Sequence, residues 1–495
     1  MNHHPVVRTA QGAVRGLRRH GIDAFLGIPY AAPPRGAGRF APPEPHAPWD
    51  GVRDATAPGP TAPQSERGLG GIDMSPYFGT GWSRGADYLT VDVRAPAAAD
   101  SGGLPVMVFV HGGAFVAGST RSALYDGSAF ARDGVVLVSL NYRLGIAGFL
   151  DLPGAPANRG LLDVVAALRW VRENIAAFGG DPRNVTLFGQ SAGATVVGGV
   201  LAEPGAAGLV RRAIVQSGSG LGAFSPEQAA RVTAAAADAL GVESRADAFA
   251  ELSDDRLVEA ASRLTGIDLR TEAHHDPLIG LSPFSLVLDT QPAASVATGP
   301  GADVDLLVGT NAEEGNLYLV PVDRYSTSTP EDVRAVAASA HPDPARLVET
   351  YRTARPDASS GELRSAVMGD ALFGAGSRAL ADAHAAHSAS TTHRYEFAWR
   401  SHALGGELGA AHAVELPFVF DLAHLPRLRG PEGLLGPDAP PADLAGRTHA
   451  AWVRFARTGD PGWAPYDLTR RTTMRIDAEW TQVYDPRGEE LAAWA

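Results

Sequence analysis

The sequence predicts an α/β fold in which helices flank a mostly parallel sheet. Val106–Val110 and Val135–Tyr142 are continuous apolar runs, which are typical of strands buried on both faces. Leu161–Phe178 has helical spacing, and two more apolar runs follow it at Val185–Phe188 and Ala213–Gln216. Buried strands that alternate with helices indicate a parallel sheet covered on both sides.

The chain before this region is predicted to consist of short strands and loops. Val6–Arg8, Ala13–Leu17 and Ala24–Leu26 have the composition of short strands separated by glycine turns. Phe25–Trp49 is rich in Pro and Gly and fits neither periodicity, and residues 56–85 are predicted to form a long surface loop.

The second half of the chain is predicted to add helices to this sheet and to complete it. Residues 226–265 and 329–386 are Ala-rich and helical in pattern, with a predicted strand, Asp305–Gly309, between them. The last predicted elements are the strand His393–Trp399, the helix Leu444–Thr458 and the strands Thr473–Ile476 and Thr481–Tyr484. Because no Pro/Ser-rich linker divides the chain, we expect a single domain over residues 1–495.

Composition excludes several kinds of chemistry. The 495 residues include no cysteine and no lysine, so all 42 side chains in the Lys+Arg count are arginine. Disulfides, thiol nucleophiles, cysteine-ligated metals, lysine Schiff bases and Walker-type phosphate loops are therefore excluded. The formal net charge of −13 argues against nucleic acid or an anionic membrane as a partner.

The sequence also gives expectations about location. The start, MNHHPVVRTAQGAVRG, has no apolar segment of a secretory signal. No stretch approaches the roughly 18–20 apolar residues of a membrane span. We expect a cytoplasmic protein that does not associate with membranes, and we favour a monomer.

The strongest chemical signal is VTLFGQSAGA, Val185–Ala194, which contains G-x-S-x-G centred on Ser191. The pattern alone is common in a Gly-rich chain, but here it lies between a predicted buried strand and a predicted helix. Such a turn strains the serine backbone, and Gly189 and Gly193 allow the flanking chain to pass closely. The context predicts a nucleophilic serine over the positive end of the helix dipole.

A second signal is FVHGGAF, Phe109–Phe115, directly after a predicted strand. A tetrahedral intermediate needs backbone N–H donors, and small residues allow it to approach them. The candidate donors are Gly112, Gly113, Ala114 and Ala192. The glycines could equally mark an ordinary turn, but their pairing with the serine turn makes the functional interpretation more specific.

A nucleophilic serine needs a general base and a carboxylate that orients it. In hydrolases built on this kind of sheet the chain order is Ser, acid, His, which directs the search downstream of the serine. The sequence NAEEG follows the predicted strand Asp305–Gly309, and His412 follows the one that ends near Trp399. Local pattern alone does not separate His412 from His402 or His424.

Eight spaced motifs point to a known family. In chain order they are FLGIPYAAPP, VFVHGGAF, NYRLGIAGFL, NRGLLD, RENIAAFGGDPRNVTLFGQSAGA, RRAIVQSG, VGTNAEEG and GAAHAVELPFVF. Together they closely resemble the type-B carboxylesterases, which include bacterial para-nitrobenzyl esterases and animal cholinesterases. The resemblance runs from about residue 6 to WVRFARTGDPGWAPY near the C-terminus. It implies the α/β-hydrolase fold, with helical insertions that form a cap over the active site.

The resemblance also implies roles for individual residues. The family's nucleophile, acid and histidine fall on Ser191, Glu314 and His412. Its oxyanion donors fall on Gly113, Ala114 and Ala192, which leaves Gly112 to make the turn. Ser217 matches a serine thought to support the acid–histidine pair, whereas Glu313 is expected to be a solvated charge.

The chain departs from the family pattern at several positions. Gln190 replaces the usual glutamate before the serine, which removes an attraction for cationic substrates. Ala114 stands where many members have glycine, and Ala413 stands where animal members often have glycine. Arg84–Val93 replaces the family's SEDCLYLNV block. The Cys-bounded loop with a choline-binding tryptophan has no counterpart, so choline esters are not expected as substrates.

The implied activity is hydrolysis of small to medium uncharged or aromatic esters through an acyl-enzyme, without a cofactor or metal. We expect the pocket to be lined by residues from 226–290 and 315–390, with Phe115 and the aromatic residues near Phe284 as candidates that could instead be core. A non-catalytic binding protein on the same fold would lack a triad residue. An amidase or carbamate hydrolase could use the same triad.

Two further patterns are expected to be without function. Gly218–Ala223 fits the dinucleotide pattern G-x-G-x-x-A, but Ser225 and Pro226 predict a helix that starts too late to hold a pyrophosphate. His274, His275 and Asp276 lack the spacing of a helical metal motif and are expected to lie in an exposed loop.

Overall fold

The strands define the frame of the molecule. The computed structural model describes residues 4–97, 102–296, 301–386 and 389–495. Within these ranges the strands are β1 Val6–Arg8, β2 Ala13–Arg15, β3 Leu17–Arg19, β4 Ile22–Pro29, β5 Val52–Asp54, β6 Thr90–Pro96, β7 Leu104–Val110, β8 Val136–Leu140, β9 Gly180–Gln190, β10 Arg212–Gln216, β11 Asp305–Asn311, β12 Thr392–Phe397, β13 Thr472–Ile476 and β14 Thr481–Tyr484.

Helices occupy most of the connections between these strands. In the described ranges they are α1 Ser75–Phe78, α2 Ser128–Arg132, α3 Gly145–Phe149, α4 Arg159–Asn174, α5 Ala192–Ala202, α6 Pro226–Leu240, α7 Ala246–Ala250, α8 Asp254–Arg263, α9 Pro292–Val296, α10 Asn316–Leu319, α11 Pro330–Ala340, α12 Pro344–Ala354, α13 Ser360–Gly369, α14 Ala375–Ala385, α15 Leu416–Val419, α16 Leu444–Thr458 and α17 Gly488–Ala492. A π-helical turn, Asp370–Gly374, joins α13 to α14. Within the described ranges, no helix is both long and apolar enough to cross a membrane.

A large mixed sheet forms the centre of the fold. Within the described residues it has eleven strands in the order β14-β13-β12-β11-β10-β9-β7-β8-β6-β4-β3. The run from β8 to β13 is parallel, and β14, β6, β4 and β3 add antiparallel edges. Parallel strands align their carboxyl ends along one sheet edge, where ligands bind in such folds.

The predicted α/β architecture is confirmed, and several boundaries differ from expectation. The helix Leu444–Thr458 has the predicted bounds, whereas Ala13–Leu17 is divided between β2 and β3, which belong to different sheets. The strand β4 continues past Phe25 into the segment that was predicted to be irregular. This part was missed because its pairing with β6 shifts register between Phe25 and Ile28, which interrupts the alternation of side chains typical of a strand. The strand β6 was not predicted.

The prediction of a surface loop over residues 56–85 is wrong in part. Ile72, Met74, Tyr77 and Phe78 are buried, and the last two lie in α1. These apolar residues are too few and too irregularly spaced to produce a periodic signal. The segment therefore packs inward and contributes to the cavity described below.

A fully buried ion pair joins two of the motifs. The Arg143 guanidinium donates to both carboxylate oxygens of Asp163 in α4, at 2.9 and 2.7 Å, and to the carbonyl oxygens of Arg39 and Ala41. The backbone N–H of Arg143 also donates to Asp163, at 2.9 Å. Since both side chains are at most 1% exposed, each charge depends on the other for compensation.

We predict that Asp163→Asn lowers the free energy of unfolding by about 3–5 kcal/mol, because it leaves the Arg143 charge buried and unpaired. Chemical denaturation measures this change. Asp255→Asn removes the anion of the exposed Arg84–Asp255 pair and serves as the control, with no measurable change expected. Equal losses in the two variants would contradict the account.

Candidate active site

Ser191 lies at the abrupt turn between β9 and α5, at the carboxyl edge of the sheet. Its backbone has φ 58° and ψ −128°, outside the regions that non-glycine residues favour. Its N–H donates to the carbonyl of Gln216 on the neighbouring strand, at 2.9 Å. This strained conformation is held by the sheet and the helix on either side.

Two glycines permit this turn by allowing close backbone contacts. A Cβ on Gly193 would lie 2.5 Å from the carbonyl oxygen of His111 and would also overlap that of Val110. A Cβ on Gly189 would lie 2.7 Å from the Gly193 carbonyl carbon. The first turn of α5 therefore packs directly on the backbone that follows β7.

The loop after β7 brings backbone donors to the same place. Gly113, Ala114 and Phe115 have φ values of 119°, 54° and 63°. The N–H groups of Gly113, Ala114 and Ala192 donate to no acceptor in the described part of the chain, and all three residues line the cavity that contains Ser191. His111 at the start of the loop is buried, and this burial lowers its pKa to about 4, so it is neutral at physiological pH.

Glu314 and His412 form a buried pair, although they follow different strands. Nδ1 of His412 lies 2.6 Å from Oε2 of Glu314, and the two side chains are 3% and 4% exposed. The other oxygen, Oε1, accepts from the Ser217 hydroxyl at 2.5 Å and from the Asn311 backbone N–H at 2.7 Å. These donors fix the carboxylate, which in turn orients the imidazole.

The alternative acid and histidines lie elsewhere. Glu313 forms an ion pair with Arg400 and accepts from the backbone N–H of Ala410. His402 is exposed and pairs with Asp438 at 2.6 Å, and His424 is exposed. The structure thus separates His412 from the two histidines that local pattern could not exclude.

A relay of side chains reaches the second imidazole nitrogen. The Tyr77 hydroxyl donates to Oε1 of Gln190 at 2.7 Å, which leaves the amide nitrogen of Gln190 facing Nε2 of His412 at 3.2 Å. With Nδ1 donating to Glu314, Nε2 is the acceptor of this contact. Tyr77 was not predicted, because nothing in the loop sequence marked it.

A second buried glutamate lies behind the pair. Glu415 accepts from the side-chain amides of Asn311 and Gln216, at 2.7 and 3.3 Å. Burial, and after it the neighbouring Glu314, raise the pKa of the Glu415 carboxyl to about 7, against the lowering effects of the Asn311 hydrogen bond and of His412. Its negative charge is therefore only partly present at neutral pH.

An aromatic ring packs against the imidazole of His412. Phe373, in the π-helical turn, stacks on it with ring centroids 4.3 Å apart and an interplanar angle of 8°. The Tyr318 ring also lies near the imidazole of His412, with ring centroids 5.8 Å apart. A π-helical turn displaces a side chain from the regular helical position and is frequent at functional sites. The alanine-rich sequence around Phe373 gave no sign of this turn.

These groups surround one cavity of about 120 Å³. Its lining residues are Arg67, Leu69, Met74, Tyr77, Phe78, Gly113, Ala114, Phe115, Ser191, Ala192, Thr195, Leu278, Leu281, Ser282, Leu317, Tyr318, Leu372, Phe373 and His412. The predicted contributions from 226–290 and 315–390 and from Phe115 are confirmed. Phe284 is 1% exposed and belongs to the core, and the segment containing α1 supplies lining that was not expected.

The two alanine departures occupy left-handed backbone positions. Ala114 has φ 54° and Ala413, directly after His412, has φ 72°. Glycine adopts such angles without steric cost, whereas alanine does so at a cost of roughly 1–2 kcal/mol. This chain therefore tolerates backbone strain at both positions, which glycine would relieve.

The patterns set aside have structural roles. Ser225 caps α6 through a reciprocal pair with Gln228, and the helix begins at Pro226, as predicted. His274 and His275 are exposed, as expected, but the expectation is wrong for Asp276, which is buried because its carboxylate accepts from the backbone N–H groups of Leu278 and Gly280. No group of three metal-ligating side chains occurs among the residues that the structure describes.

We predict that Gly193→Ala lowers the free energy of unfolding by about 1–3 kcal/mol, because its Cβ has no room against the loop after β7. Gly198→Ala, on the same helix, meets only the Pro292 Cβ at 3.6 Å and should raise the stability by about 0.5–1 kcal/mol. Denaturant titration of both variants checks this, and a stable Gly193→Ala protein would refute the close contact.

Comparison with known proteins shows the family to which the chain belongs. The profile of the carboxylesterase family matches residues 3–494. The chain is 36% identical over 502 residues to the para-nitrobenzyl esterase of Bacillus subtilis (strain 168), covering 98% of each, and 34% identical over 498 residues to the phenmedipham hydrolase of Pseudarthrobacter oxydans, covering 99% and 96%. A solved carboxylesterase from Geobacillus stearothermophilus superposes with a TM-score of 0.85 at 35% identity, over 99% of this chain and all of that one. The chain therefore belongs to the type-B carboxylesterase family, has the α/β-hydrolase fold and is a carboxylic ester hydrolase.

Proposed function

We propose that this esterase works through an acyl-enzyme formed on Ser191, with His412 as general base and Glu314 as the acid that orients it. The observation that carries the proposal is the buried His412–Glu314 pair, 2.6 Å apart, whose imidazole lines the same cavity as Ser191. Nucleophile, base and acid in this arrangement are the requirement for acyl transfer by a serine.

In the first half-reaction His412 takes the hydroxyl proton at Nε2 while Oγ of Ser191 attacks the ester carbonyl carbon. Nε2 must first release the amide of Gln190, which contacts it in the free enzyme. Glu314 stabilises the imidazolium that forms, and the proton then passes to the departing alkoxide. Water repeats the attack on the acyl-enzyme, which releases the carboxylic acid and restores Ser191.

The N–H groups of Gly113, Ala114 and Ala192 are proposed to hold the oxyanion. They support this role because they line the cavity and donate to no acceptor in the described residues. Loss of one such donor typically costs about 10²–10³ in rate. Because the donors are backbone groups, the loop conformation sets their direction, which explains why strain at Ala114 is retained.

The apolar lining of the cavity supports small to medium uncharged or aromatic esters as the main class of substrates. Most of the side chains around Ser191 are aliphatic or aromatic, including Met74, Phe78 and Leu317. Gln190 is neutral where a family glutamate would attract cations. An apolar cavity of about 120 Å³ favours compact acyl groups over long chains.

We predict that Ser191→Ala abolishes hydrolysis of para-nitrophenyl butyrate and leaves the unfolding midpoint within error of the parent, since it removes a single oxygen atom from a residue that lines the cavity. Steady-state rates and thermal unfolding measure the two effects. Ser217→Ala should retain part of the activity, because Ser217 contacts Glu314 and not the substrate. Full activity in Ser191→Ala would overturn the assignment.

We predict that Glu314→Gln lowers kcat by about 10³–10⁴-fold, because an amide does not stabilise the imidazolium and favours the wrong tautomer. Glu313→Gln is the matched control, since Glu313 pairs with Arg400 outside the cavity, and its kcat should change less than about threefold. If the two losses in kcat were equal, the acid would have to be reassigned.

A further inference from the structure

Among the residues that the structure describes, a single arginine lines the cavity that contains Ser191. Arg67, from the segment before α1, lines this cavity and also two adjoining ones that open outward. One guanidinium nitrogen donates to the Gly113 carbonyl oxygen at 3.4 Å, a long hydrogen bond. The cation therefore lies beside the loop whose Gly113 and Ala114 N–H groups are the proposed donors to the carbonyl oxygen of the ester.

Arg67 has no acidic partner among the residues that the structure describes. Glu66 and Asp73 line an outer cavity with Arg67, yet neither forms an ion pair with it. Burial lowers the pKa of its guanidinium, against opposing effects of Tyr318 and Tyr77, and an arginine stays charged at neutral pH. A partly desolvated cation without an anion gains from any carboxylate that reaches it.

Arg159 shows how a structural arginine without an acid is accommodated. Its guanidinium donates to the carbonyl oxygens of Ile146, Ala147, Leu150 and Pro156, at 2.6–3.1 Å. Arg67 makes only its single 3.4 Å hydrogen bond with the described residues, although it lines three cavities. Most of its N–H groups are thus not committed to acceptors in the described part of the protein.

The other charges at the site do not compete for this cation. Glu314 is engaged by His412, Ser217 and Asn311, and the raised pKa of Glu415 leaves that group partly neutral. Gln190 carries no charge. Arg67 is therefore the uncompensated full charge of the cavity within the part of the chain that the structure describes.

We propose that Arg67 is a carboxylate-binding subsite, so that this esterase also accepts esters that carry a free carboxylate a few bonds from the scissile carbonyl. The chemical class includes monoesters of dicarboxylic acids and esters whose alcohol part bears an acid. A guanidinium matches a carboxylate with two parallel N–H···O bonds. The inference rests on the proposed function and adds a charged class to its substrates.

Two matched substrate pairs test the subsite. On the alcohol side they are 4-acetoxybenzoate and methyl 4-acetoxybenzoate, and on the acyl side the mono-4-nitrophenyl ester of adipic acid and its methyl-capped form. Arg67→Gln should lower the ratio of kcat/KM for the acid over kcat/KM for its neutral partner by about 10–100-fold in at least one pair. Any loss of kcat/KM for the neutral esters should be much smaller than the loss for the acids. The pair whose ratio falls identifies whether the carboxylate that contacts Arg67 lies on the acyl or the alcohol side.

Arg84→Gln is the control, because it removes the same charge from an exposed position outside the cavity and should leave the ratios unchanged. Free adipate should inhibit turnover of the neutral ester competitively in the parent and much more weakly in Arg67→Gln. Raising the ionic strength should reduce the parent's preference for the acids.

Unchanged ratios in Arg67→Gln would overturn the subsite. An equal fall for acids and neutral esters would also overturn it, because Arg67 would then act on the Gly113 loop and not on the substrate. Both results leave neutral-ester hydrolysis by Ser191 standing. By contrast, parent enzyme that cleaves none of the four esters would contradict the proposed function itself.

Discussion

The close backbone contact between Gly193 and the loop after β7 is the constraint on which the site depends. Because Gly193 has no side chain, the first turn of α5 rests against the carbonyl groups of Val110 and His111. The contact sets the position of Ser191, which precedes that turn, relative to Gly113 and Ala114, which follow the loop's first residues. The proposed nucleophile and oxyanion donors are thus placed by main chain, which has far less freedom than side chains.

The position of the proposed acid–base pair, Glu314 and His412, depends on hydrogen bonds between residues that follow different strands. Glu314 follows β11, yet it is held by Ser217 after β10 and by the backbone of Asn311, and it binds His412 after β12. Asn311 also donates to Glu415, which lies three residues beyond His412. The ends of three neighbouring strands are therefore tied by buried polar groups, and each group would be costly to leave unpaired. This network keeps a histidine loop in place although Ala413 strains it.

Sequence reasoning predicted the parts of the site that follow local backbone rules. The turn at Ser191 has a pattern of its own, and the glycine loop around Gly113 follows a strand that hydrophobicity reveals. Glu314 and His412 required family resemblance, because several carboxylates and histidines had similar local contexts. Arg67 was missed because its segment showed no periodicity or motif, and Phe373 was missed because the helical pattern around it gave no sign of the π-helical turn. Long-range packing brings them to the cavity, and spacing along the chain does not encode it.

The central claim is that Ser191 carries the acyl group, and trapping the enzyme with a chromogenic organophosphate tests it most directly. Peptide mass spectrometry of the inhibited protein locates the modified residue, and the released chromophore counts the sites. The account predicts one equivalent of label, found on Ser191, with loss of activity in proportion to labelling. Activity that survives full exposure to the reagent, or a label on a different residue with Ser191 unmodified, would contradict the account.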